Sequence, residues 1–144
     1  MTAVQALYHF LDINFEGLSK KEMLILEAEL FTRIYEELKE IIRKQNKEYF
    51  RLMKLNIEKE SIMIEANFIR CIINDILYTE EYNLPGIAYY TDTPEDVIYE
   101  VASGCNIRPT LSLARKIIEL HRSVRPNLYR EIMNKITNGL SSQT

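Results

Sequence analysis

A chain of 144 residues that is 47% apolar and 27% charged holds enough apolar material for one packed domain, or for a small domain with a helical arm. Its net charge of −3 excludes bulk electrostatics as a mark of nucleic-acid binding, so only the local charge distribution can carry such a role. No apolar run approaches the ~20 residues that cross a bilayer, and the N-terminus lacks a basic region followed by a long apolar run.

Four glycines and four prolines punctuate the whole chain, and apolar residues recur at helical spacing almost throughout, so we expect an all-α protein. Residues 2 to about 14 read as a short amphipathic helix with Val4, Leu7, Tyr8 and Leu11 on one side, broken at Gly17. Ser19-Lys20-Lys21-Glu22 reads as a capping box, in which hydroxyl and carboxylate satisfy amides at the helix start. The helix that follows meets no Gly or Pro through Leu55, a length of about 55 Å if unbroken. Leu24, Phe31, Leu38 and Leu52 fall seven apart, with Gln45 in the remaining slot. Ile34 and Ile41 fall between them, and Ala28, Tyr35, Ile42 and Tyr49 widen the stripe. Such a stripe is expected to be a homodimer seam through Leu24, Phe31, Ile34, Leu38, Ile41 and Leu52; the alternative is packing within the chain against its other helices. The basic cluster Arg43, Lys44, Lys47 and Arg51 lies close to Glu36, Glu37, Glu40 and Glu48 and reads as a salt-bridged, solvated face.

Residues 56–65 fit either a short strand around Ile62-Met63-Ile64 or a helix beginning after a break near Asn56. The stripe Ile62, Ala66, Ile69 and Ile73 favours the helix, which continues through Ile72 and Ile76. Residues 83–104 then give a short helix with the small, apolar pair Ile87-Ala88, a turn at Asp92, and a start signal at Thr93-Pro94. A second helix carries Val97, Ile98 and Val101 and closes at Gly104, where a left-handed cap is wanted. After Pro126, Leu128, Ile132, Met133 and Ile136 give a last helix, expected to end at Gly139 before a loose tail.

The ordered series Ile87-Ala88, Asp92-Thr93-Pro94, Val97-Ile98, Gly104, Arg108-Pro109-Thr110 and Leu113-Ala114-Arg115-Lys116-Ile117 resembles the helix-turn-helix domain of the lambda repressor and Cro family, the XRE type. The resemblance covers roughly residues 66–122. With the helical, dimerising region read above (residues 1–60), the expected fold places it before a helix-turn-helix bundle with an extra helix (61–139) and a tail (140–144). The resemblance implies a DNA-binding transcriptional regulator whose second short helix enters the major groove. On that reading Glu95, Tyr99 and Ser103 face base edges. Asn106, Arg108 and Thr110 contact phosphates, with Arg115 and Lys116 following on the next helix. Two departures stand out: Asp92 occupies a turn position usually held by Gly, and Leu84 replaces a polar phosphate contact.

Charge sets the alternative. Between Cys71 and Gly104 lie Asp75, Glu80, Glu81, Asp92, Glu95, Asp96 and Glu100, and no Lys or Arg. Phosphates repel such a segment. From Cys105 onward Arg108, Arg115, Lys116, Arg122, Arg125, Arg130 and Lys135 face only Glu119 and Glu131. A non-enzymatic adaptor that presents the acidic face to another regulatory protein is therefore the second reading.

Catalytic and metal chemistry find no support. His9 and His121 lie near no Cys, Ser or carboxylate in a recognisable spacing, and His121 beside Arg122 reads as surface or half-buried. No glycine-rich phosphate loop is present. We expect no cofactor, and Cys71 and Cys105, far apart in sequence, fit a reduced cytoplasmic protein better than a disulfide scaffold. The Ile-, Tyr-, Asn- and Lys-rich texture fits an AT-rich bacterial or phage genome.

Overall fold

A computed structural model describes residues 19–141 except Ile107, with the backbone alone for Thr137, Gly139, Leu140 and Ser141. The helix expected over residues 2–14 and its break at Gly17 lie outside the described residues. Among those described there is no strand. Their helices run α1 Lys20–Gln45, α2 Lys47–Leu52, α3 Ile57–Tyr78, α4 Leu84–Tyr90, α5 Glu95–Ala102, α6 Leu111–Val124 and α7 Pro126–Ser141. The chain divides into two compact units, Met1–Leu38 with Asn127–Thr144, and Lys39–Pro126. The boundary read from the sequence stood instead at residue 60.

In the first unit, α1 starts on Ser19, whose hydroxyl accepts from the Glu22 N–H at 3.1 Å and donates to the Glu22 carboxylate at 3.1 Å. Its buried residues are Leu30, Ile34 and Leu38, spaced by four; α7 buries Tyr129, Ile132, Met133 and Ile136. Full burial of one such side chain stabilises the fold by about 1.5–3 kcal/mol. Lys135 on α7 pairs with Glu37 on α1 at 2.8 Å. The helix α7 runs on through Gly139 to Ser141, beyond the end expected at the glycine.

The seven-residue stripe does not form one face. Leu24 and Leu52 are 64% and 70% exposed, whereas Ile34 and Leu38 are buried within the single chain. Phe31 and Ile41 are half-buried. A seam through all six is therefore not available in the folded chain, because the spacing that is buried is four, not seven.

Nor is the helix unbroken to Leu55. It kinks at Asn46, whose backbone (φ −106°, ψ 12°) leaves helical values while its side-chain amide donates to the Ile42 carbonyl at 2.8 Å. It ends at Lys54, which adopts φ 55°, with its N–H on the Arg51 carbonyl and the Leu55 N–H on the Phe50 carbonyl. That pair of bonds closes a helix through a left-handed residue. Asn56 then caps α3 through its side chain, which accepts from the Lys59 N–H at 2.8 Å, at the break the sequence predicts.

In the second unit α3 packs on α5 and α6, and α4 packs on α5 and α6. The shared core is Phe68, Ile72, Ile73 and Ile76 from α3, Ile87 and Ala88 from α4, Ile98 and Val101 from α5, and Leu113, Ile117 and Leu120 from α6. On α3, α5 and α6 these include spacings of three and four, so one apolar stripe of each faces inward, while α4 buries the adjacent pair Ile87-Ala88.

Candidate nucleic-acid interface

The two short helices α4 and α5 are joined by four residues, and the join is tightly specified. Asn83 begins α4 by accepting from the Gly86 N–H at 2.8 Å. Asp92 takes the left-handed conformation at φ 51°. Its N–H bonds the Tyr89 carbonyl at 3.2 Å, and the Thr93 N–H bonds the Ala88 carbonyl at 3.0 Å. This is a Schellman closure, with Asp serving where Gly is usual because its short polar side chain tolerates that region. Thr93 does not cap α5 as its sequence position predicts. Its hydroxyl donates backward to the Thr91 carbonyl at 3.1 Å, and Pro94 itself occupies the cap position.

Thr91 is fully buried, and its carbonyl also accepts from the Lys116 ammonium at 3.1 Å. Lys116 is thus bonded to the join between α4 and α5. At the other end of α5, Gly104 adopts φ 83° and Arg70 from α3 donates through Nε to the Ala102 carbonyl at 3.1 Å. A cation at a helix C-terminus meets the negative end of its dipole. The proximity of Arg70 to α5 had no signal in the sequence, since 32 residues separate the partners.

The face of α5 away from the core presents Glu95, Asp96, Tyr99, Glu100 and Ser103, all exposed. The loop that follows is shaped by Asn106, half-buried, whose side chain accepts from the Arg108 N–H at 3.1 Å. Arg108 is exposed, and Thr110 caps α6 by accepting from the Leu113 N–H at 3.1 Å. Arg115 is half-buried on α6. Glu95, Tyr99, Ser103, Arg108, Thr110 and Lys116 are all exposed, and Thr110 and Lys116 also bond within the fold.

A buried polar cluster lies elsewhere in the same unit. His121 is 2% exposed, which overturns its reading as a surface or half-buried residue. Its Nε2 lies 2.7 Å from the Asp75 carboxylate, which Arg125 grips through Nε at 3.1 Å and Nη2 at 3.2 Å. Burial lowers the His121 pKa below its usual 6.5 despite the opposing pull of Asp75, so the ring is neutral at pH 7 and donates from Nε2. Burial works against the Asp75 carboxylate, yet hydrogen bonds from Arg125 and His121 outweigh it and hold its pKa below the usual value. With the imidazole sealed in the core, the cluster ties α3 to the end of α6.

Among the described residues no group of three or more His, Cys, Asp or Glu is placed to hold a metal ion, and no helix is long and apolar enough to cross a membrane. A scan against protein-family models, a search of curated proteins and a search of solved structures each found no match to this chain.

Proposed function

We propose that residues 66–122 form a helix-turn-helix of the lambda repressor and Cro type, and that the protein is a DNA-binding transcriptional regulator acting as a cytoplasmic homodimer. One observation carries the reading: a left-handed Asp92 joins α4 to α5, so that Ile98 and Val101 are buried while Glu95, Tyr99 and Ser103 project to solvent from one short helix. A helix held in that way is free to lie in a groove. Tyr99 and Ser103 supply hydrogen-bonding groups for base edges, and a carboxylate such as Glu95 accepts from the cytosine amino group. Arg108, in the loop directly after α5, is the exposed cation for the backbone. Since Ile34 and Leu38 are spent inside the chain, pairing of two copies falls to residues left exposed, Leu24 among them. Selection of duplexes from a random pool tests this. We expect an enriched motif that Tyr99→Ala alters and that Arg108→Glu weakens without changing; a pool with no enriched sequence overturns the proposal.

The second reading is a module that binds a basic protein. The acidity of α5 favours it, together with Tyr89 and Tyr78, which are 91% and 81% exposed, since aromatic faces and carboxylates both attract Arg and Lys. Retention of a lysine- and arginine-rich protein, lost on Glu95→Lys with Glu100→Lys, separates it from DNA binding.

A further inference from the structure

The kink at Asn46 sets α2 away from the line of α1 and leaves a half-open cavity of about 200 Å³ against α3. Its apolar walls include Ile42, Phe50 and Ile64. Its polar lining residues are Asn46, Tyr49, Asn67, Cys71 and Asn74, and the single ionised side chain on its wall is Arg70. Asn46 and Asn67 spend their amide N–H groups on the carbonyls of Ile42 and Met63, each one turn back on its own helix. Asparagine amides carry no charge, and no carboxylate lines the space.

We propose that this cavity binds a small organic monocarboxylate, with its apolar body against Phe50 and Ile64 and its anionic group on Arg70. Size and charge select the class together. A dry cavity of ~150 Å³ admits benzene, so this one holds a ring or a short chain, not a nucleotide. An apolar site whose one charge is a guanidinium prefers an anion, and the planar fork of arginine matches a carboxylate. The guanidinium is not fully committed: Nε is bonded to the Ala102 carbonyl and Nη1 lies against Gly104, leaving Nη2 as the donor for a ligand. A bound carboxylate and the C-terminal end of α5 then share one cation.

Cys71 on the same wall gives a direct readout, and exposed Cys105 gives an internal reference. Burial raises the Cys71 thiol pKa, so it alkylates slowly but measurably. Iodoacetamide labelling of the intact protein, followed by peptide mass mapping, is run with benzoate and with benzamide as probes. We expect benzoate to slow Cys71 labelling at least threefold, saturating at or below roughly 10 mM, with Cys105 unchanged and benzamide at least tenfold less effective. Arg70→Gln removes the preference for benzoate; if that variant folds poorly, Ile64→Trp, which fills the space, abolishes protection by either probe. Unchanged Cys71 labelling, equal slowing at both cysteines, or equal protection by benzoate and benzamide overturns the proposal.

Discussion

The Lys116 ammonium donates to the Thr91 carbonyl at 3.1 Å, joining α6 to the turn between α4 and α5. The carbonyl belongs to a residue with no exposed surface, so losing the donor leaves it with the Thr93 hydroxyl alone among the contacts seen here. Lys116→Met is expected to lower stability by about 1 kcal/mol. Thermal unfolding followed by circular dichroism measures it, and a variant as stable as the parent would deny the contact any structural weight.

Asp92 and Gly104 hold left-handed backbone at the two ends of the exposed α5 segment. A β-branched side chain tolerates that region poorly, so Asp92→Val costs roughly 1–2 kcal/mol. Gly104→Ala meets a second obstacle, because its Cβ would lie 3.1 Å from the Arg70 guanidinium. Both variants should melt earlier. A melting temperature unchanged in either would refute the backbone assignment at that residue.

His121 makes stability depend on pH. Its folded pKa lies below the 6.5 of the free side chain, so the unfolded chain binds the extra proton first as the solution is acidified. The contribution is complete above pH 6.5 and is lost as pH falls through the folded value. Asp75, also depressed, adds a second loss of the same sign that begins only near its ordinary 3.8. Melting temperature should therefore fall on acidification from neutrality toward pH 5, and His121→Leu, less stable overall, should be flat across that window. A parent profile as flat as the variant's would sink the idea.

Leu38 is 2% exposed and Leu24 is 64% exposed, although a separation of two heptads places them on one stripe. Leu38→Glu buries a charge and is expected to cost more than about 3 kcal/mol, whereas Leu24→Glu should stay within about 0.5 kcal/mol in a single chain. Denaturant melts and mass in solution read the two effects separately. If Leu38→Glu keeps full stability and only halves the mass, Leu38 is an intermolecular contact after all.

The short helices, the turn at Asp92 and the cap at Gly104 were legible because local spacing and a few conformationally special residues dictate them. So was the start of α3, where Asn56 caps. The broken arm was not, because its kink and stop use Asn46 and Lys54 in place of Gly or Pro. Heptad spacing misled at Leu24 and Leu52, since α1 buries a four-residue period. The charged contacts that hold the second unit, Arg70 to Ala102 and Asp75 to His121 and Arg125, join residues 32 to 50 apart. No local pattern encodes such pairs. The bond from Lys116 to the Thr91 carbonyl was not legible for the same reason: sequence gives the charge but not the carbonyl it meets.

The most direct measurement is capture of fragmented genomic DNA by the purified protein across a salt series, beside the double variant Arg108→Glu with Arg115→Glu. A DNA-binding regulator retains discrete fragments, loses them as salt rises, and loses them at lower salt when the two arginines are reversed. No retention of any fragment at low salt would contradict DNA binding and leave the acidic face of α5 to a protein partner.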